Sequence, residues 1–106
     1  MAKKLIALCA CPMGLAHTFM AAEAIEKAAK EKGYEVKVET QGSDGTQNAL
    51  SPSDIASADI IIHSIAITPE GVERFEGYEV YEVTLQEMIK NPMGVLEEIE
   101  ADKAQN

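Results

Sequence analysis

The run Cys11-Pro12-Met13-Gly14-Leu15-Ala16-His17-Thr18 sets a thiol, a stiff turn and two polar side chains between an apolar segment and a long helical pattern. A thiol attacks and leaves as the thiolate, so its chemistry depends on what lowers its pKa. The start of a helix does so, because its first N–H groups lack intrahelical acceptors and the positive end of the dipole lies beside them. The same convergent donors cradle a phosphoryl group. A free thiol with a pKa of about 8.5 is only roughly a tenth ionised near pH 7.5, and lowering it to about 7, a shift of about 2 kcal/mol, makes thiolate the major form. Amides from Met13 to Thr18 supply that shift without a cationic side chain. Pro12 stiffens the loop while giving up only its own N–H, and Gly14 permits the sharp turn. The spacing points to a phosphate-binding loop, Pro12 through Thr18, with Cys11 as its nucleophile.

Such a loop needs a strand to deliver it and a helix to receive it. Leu5-Ile6-Ala7-Leu8-Cys9-Ala10 is short, apolar and bounded by Lys3-Lys4, as a buried strand should be. From Leu15 onward, Leu15, Phe19, Ala22, Ile25 and Ala29 recur at three- and four-residue spacing, and Glu23 with Lys27 and Glu26 with Lys30 form exposed i,i+4 pairs. Met20 also reads as core. Gly33 supplies a left-handed stop, after which residues 34–40 alternate as a strand. Residues 41–50 read as loop, and Ser51-Pro52-Ser53-Asp54 opens a short helix with Pro at its first position. Ile60-Ile61-Ile62 lacks alternation, which suits an interior strand of a parallel sheet. Residues 70–75 look like a helical turn, and residues 78–83 like a more exposed strand nearer an edge. Thr84 with Glu87 resembles a capping box. Asn91-Pro92 restarts the chain in a last helix with Met93, Leu96 and Ile99 on one face and Glu97–Glu100 solvated. These elements predict one domain over residues 1–106: an α/β fold with an open four-stranded parallel sheet, Rossmann-like, helices on both faces and the ligand site beyond the carboxyl ends of the strands.

Composition narrows the function. A net charge of −9 argues against nucleic acid, which needs clustered Lys and Arg to displace counterions. Exposed charges more than about 8 Å away are screened at physiological ionic strength, so an acidic chain still binds phosphate through local amides. The short apolar stretch after Lys3-Lys4 is neither a signal peptide nor a spanning helix, so a cytoplasmic chain with no direct membrane insertion is expected. A reducing compartment keeps Cys9 and Cys11 as thiols. Cys9 lies inside the strand pattern and reads as core packing. Cys9, Cys11, His17 and His63 are a thin ligand supply, so neither metal nor cofactor is expected. His17 and Thr18 contact phosphate or shape the loop, His63 ends its strand near the same edge, and Gln41-Gly42-Ser43 approaches the same crevice.

Cys11, five residues, then His17 and Thr18 resembles the phosphate loop of low-molecular-weight protein tyrosine phosphatases, which carry Arg and a hydroxyl residue at those two places. Without that bidentate clamp, hydrolysis of a phosphocysteine should be slow, and a thiol that keeps its phosphoryl group is a carrier. Nearly the whole chain resembles the fructose-type enzyme IIB components of the bacterial phosphoenolpyruvate-dependent sugar phosphotransferase system. The matching blocks are Ala10-Cys11-Pro12 with Gly14, residues 16–24, Val38-Glu39-Thr40-Gln41-Gly42-Ser43, Ala58-Asp59 and Glu73-Arg74-Phe75. The resemblance implies that Cys11 accepts a phosphoryl group from a phosphohistidine on enzyme IIA and passes it to sugar held by membrane enzyme IIC. The apolar Met13 and Leu15, at the loop rim beside the thiol, are candidate docking residues for both partners. Many relatives carry Thr where Met13 stands and Asp after the third strand where Ser64-Ile65-Ala66 stands, which leaves the sugar open between fructose and a related ketose or polyol. A phosphatase and a Cys9–Cys11 redox or regulatory module are the alternative readings.

Overall fold

The computed structural model describes residues 3–10, 15–42, 45–65 and 71–104. Strand β1 (Lys4–Ala10) has all of Leu5 to Ala10 fully buried, so it must be covered on both faces. It accordingly lies mid-sheet, parallel to β2 (Glu35–Gly42) on one side and to β4 (Ile60–Ile65) on the other. A short β5 (Tyr81–Glu82) continues the parallel set beyond β4, giving the four parallel strands expected. A three-residue β3 (Gly45–Gln47) adds an antiparallel edge, and the sheet order is β3-β2-β1-β4-β5.

One sheet face is covered by α1 (Leu15–Glu31), α3 (Leu85–Lys90) and α4 (Pro92–Ala104), around a core of Leu5, Ala7, Cys9, Ile25, Ile62, Met88 and Leu96. The other is covered by α2 (Pro52–Ser57) and a 3-10 turn over Val72–Phe75, around Ile6, Leu8, Leu50, Ile55, Ile61 and Phe75. Local chemistry sets the boundaries. Gly33, at φ +90°, ends α1: its N–H donates to the Lys30 carbonyl and that of Tyr34 to the Ala29 carbonyl, a Schellman pair. Ser51 caps α2 in a reciprocal box with Asp54, and the Thr84 hydroxyl accepts from the Glu87 N–H at 3.1 Å to open α3. The Tyr34 hydroxyl and Lys32 both bond Glu100, tying α4 to the turn after α1, and Lys3, Tyr34, Glu100 and Lys103 line one crevice at the amino edge of the sheet.

Four local readings change. Gln41 and Gly42 extend β2, and Gly45–Gln47 form β3 inside the stretch read as loop; weak strand formers are drawn into the ladder by the paired neighbour. Within residues 78–83 only Tyr81 and Glu82 form a strand. Met20 is 51 % exposed, because the buried stripe of α1 runs through Ala21, Ile25, Ala28 and Ala29 and Met20 falls off it. Glu100 is bonded rather than free on a solvated face.

Candidate functional site

The chain turns from β1 to β2 on one side and later to β4 on the other, so β1 stands where the winding direction reverses. In open α/β sheets ligands bind beyond the carboxyl ends of the strands at such a reversal. Ala10, the last residue of β1, is in register with Gln41 of β2 and with Ile65 of β4. Cys11 follows Ala10 directly in sequence, and α1 begins at Leu15. Cys11, Pro12, Met13 and Gly14 lie outside the described residues. Leu15, Ala16, His17 and Thr18 are described by their backbone, which is helical and forms the first turn of α1. The N–H groups of that turn have no acceptor within their own helix, as an anion site requires.

On the α1 face, one row before the edge, Thr40, Cys9 and Ser64 are register partners across three strands. All are buried. Burial pushes the Cys9 thiol up to about 12, which leaves it a neutral packing group, as its place in the strand pattern predicted. A buried neutral Cys9 gives a redox switch using both cysteines no support. Ser64 Oγ is buried and has no hydrogen-bond partner among the described residues.

The opposite face carries a cluster that the sequence reading did not assign. Glu39, 1 % exposed, accepts from Arg74 Nη1 at 2.9 Å and Nη2 at 3.1 Å, from the Leu50 N–H at 2.7 Å and from Gln41 Nε2 at 2.6 Å. Burial alone would raise its pKa, but the hydrogen bonds from Arg74, Leu50 and Gln41 outweigh it and hold the carboxyl below its usual range. The Arg74 guanidinium also stacks 5.4 Å from the Phe75 ring centroid, and Phe75 meets His63 edge-on at 4.4 Å. His63 is 5 % exposed, burial holds its pKa below the usual imidazole value, and its Nε2 has no partner among the described residues. It is thus a buried neutral ring packed on Phe75. The signal in sequence was a glutamate inside a strand pattern and a single arginine in the whole chain.

That arginine is the one guanidinium a phosphatase reading could call on. Arg74 is bound to a buried carboxylate, while Lys4 and Lys37 pair with Asp54 and Lys32 with Glu100 toward the other end of the sheet. The phosphatase reading, which needs a guanidinium in the loop, has no support.

Relatives agree with this geometry. The family model for the "PTS system, Lactose/Cellobiose specific IIB subunit" matches residues 6–98. The "PTS system fructose-like EIIB component 1" of Escherichia coli K12 is 70 % identical over 100 residues, covering 94 % of this chain and 93 % of that protein. The solution structure of an enzyme IIB subunit of the PTS from Escherichia coli K12 superposes with a TM-score of 0.92 at 68 % identity, covering 99 % and 97 % of the two chains. A domain of the fructose-specific IIABC component of Borrelia burgdorferi gives 0.86 at 42 % identity, covering 92 % and 93 %. The family description and the relatives' names differ in sugar and agree on the subunit. A central strand ending at the sheet's reversal point, a helix starting just beyond it, and these matches along nearly the full length place the chain in the enzyme IIB family of the sugar phosphotransferase system, as a phosphoryl-transfer component of sugar uptake.

Proposed function

We propose that Cys11 is the phosphoryl carrier and that the chain works on the cytoplasmic side between a phosphorylated enzyme IIA and a membrane enzyme IIC holding a fructose-like sugar. The Cys11 thiolate attacks the phosphorus of a phosphohistidine in line. The S–P bond forms as the P–N bond breaks, and the electron pair returns to the imidazole nitrogen. In the second step the sugar hydroxyl attacks the same phosphorus, loses its proton, and the thiolate leaves. Amides of residues 13–18 hold the equatorial oxygens in both steps, so catalysis is chiefly positioning and electrostatic stabilisation.

The observation that carries this reading is the end of β1 at Ala10, one residue before Cys11, at the point where the winding direction reverses and α1 begins. Burial of Cys9 as a neutral group supports it, since that leaves Cys11 as the cysteine free to take the role. Among the described residues no helix is long and apolar enough to cross a membrane. Met13 and Leu15, the apolar residues on either side of Gly14 in the loop sequence, are the proposed contacts for both partners. Intact mass after incubation with a phosphoenolpyruvate-driven donor relay containing enzyme IIA tests the assignment. One added phosphoryl group is expected in the unmodified chain and in Cys9→Ser, and none in Cys11→Ser. An adduct that persists in Cys11→Ser refutes the carrier role of Cys11.

A further inference from the structure

The Glu39–Arg74 pair does more than neutralise a buried charge. Besides Glu39, Arg74 donates from Nε to the Gly71 carbonyl at 2.6 Å and from Nη1 to the Leu50 carbonyl at 2.5 Å. Glu39 in turn takes the Leu50 N–H and the Gln41 side-chain amide. One ion pair therefore joins three stretches of chain: the end of β2 at Gln41, the return from β3 into α2 at Leu50, and the entry to the 3-10 turn at Gly71. The joint is tight. A Cβ at Gly71 would stand 2.8 Å from Arg74 Nε, and the φ of +74° there suits glycine.

Buried ion pairs are poor stabilisers compared with apolar side chains of the same volume, because desolvation consumes much of the attraction. What a planar guanidinium on a carboxylate does supply is direction: several hydrogen bonds at fixed angles. Here those bonds end on segments beside the carboxyl edge. Gln41 is the register partner of Ala10, the residue before Cys11.

We propose that the Glu39–Arg74 pair is a positioning device for phosphoryl transfer, holding Gln41, Leu50 and Gly71 so that the chain beside the carboxyl edge keeps the geometry the Cys11 reaction needs. This rests on the reading of Cys11 as phosphoryl carrier. Both residues act through the segments they join.

The test is Arg74→Lys, which keeps a positive charge opposite Glu39 but has three donors on a single nitrogen in place of the planar fork that makes four bonds, to both carboxylate oxygens and two carbonyls. Single-turnover transfer from a phosphorylated fructose-type enzyme IIA is measured per folded chain, counted as the fraction whose Cys9 resists alkylation, so that loss of folded protein does not register as a slower reaction. The rate constant at saturating donor is expected to fall at least about tenfold, with half-saturation changed by less than about twofold, as loss of alignment rather than of docking would give. Amide hydrogen exchange over residues 45–50 and 71–76 should quicken while β1 and α1 stay protected. A folded Arg74→Lys that transfers within about twofold of the unmodified rate overturns the proposal. Should that variant fail to fold, Glu39→Met with Arg74→Met is read by the same criteria. If the unmodified chain accepts no phosphoryl group, the Cys11 reading fails, and hydrogen exchange decides the clamp by itself: unchanged exchange in those two segments overturns it.

Discussion

Alkylation of the two cysteines at pH 8 gives a sharp test of how differently the fold treats them. A free thiol of pKa about 8.5 is roughly a quarter thiolate at that pH. Cys9, raised to about 12, is ionised in about one molecule in ten thousand, which is a suppression of roughly two thousandfold. A thiolate of higher pKa is intrinsically more nucleophilic, and with a Brønsted slope of about 0.4–0.5 this returns roughly 25- to 55-fold. Ionisation by itself thus slows Cys9 by about 50- to 100-fold. Access slows it further, since Cys9 is 0 % exposed and its Sγ is reached only when the chain opens. With a stability of about 5 kcal/mol or more, fewer than about one molecule in a thousand is open at any time. Iodoacetamide labelling followed by peptide mass mapping should therefore modify Cys11 at least about a thousandfold faster than Cys9 in the native chain, and the two at comparable rates in concentrated urea. Native rates within about tenfold of each other would refute the burial argument and reopen a role for the Cys-x-Cys pair.

Three further outcomes follow from the same structure. Glu39→Met leaves the Arg74 guanidinium without its carboxylate and should cost about 3–5 kcal/mol in urea unfolding, whereas adding Arg74→Met should restore most of that loss; additive single costs would contradict the pairing. Glu39 and Asp54 are both held below the usual carboxylate range, the first against its burial by Arg74, Leu50 and Gln41, the second by Lys37, Ser51 and Lys4. A depressed folded pKa gives stability that is complete above the ordinary carboxylate range and lost as pH falls through the folded value, so the urea midpoint should decline below about pH 4 and decline less steeply in Glu39→Gln with Arg74→Met. Gly33→Ala places a Cβ in a left-handed residue at φ +90° and should cost about 1 kcal/mol, read as a lower melting temperature with phosphoryl acceptance intact.

The apolar pattern carried most of this fold. Leu5–Ala10 and Ile60–Ile62 have no polar alternation, and a strand without alternation has few places to be except inside a parallel sheet. Gly33, Ser51-Pro52 and Thr84 set helix ends through backbone chemistry that acts within a few residues, so their effects were legible locally. What was not legible depends on pairing at a distance. Gly45–Gln47 become a strand only because Thr40, Gln41 and Gly42 offer a free edge, and nothing in a Gly-Thr-Gln triplet announces that. Met20 was misplaced because several apolar residues compete for one stripe of α1, and the choice is made by the sheet beneath. The Glu39–Arg74 pair spans 35 residues of sequence, and each partner alone looks like a solvated charge. The positions of Cys11 to Gly14 were assigned from sequence and lie outside the described residues.

The crevice that Lys3 and Lys103 share has an engineering consequence. Both ends of the described chain meet at the amino edge of the sheet, while β1 ends at Ala10 on the carboxyl edge, one residue before Cys11 in sequence. A domain spliced on before β1 or after α4, or a tether, affinity handle or fluorophore at either place, leaves from the far side of the molecule. Such a unit is a plug-in part: the carboxyl edge, where Cys11 is proposed to react, stays open to successive visitors whatever is carried at the other, and two such units joined end to end would present those edges outward.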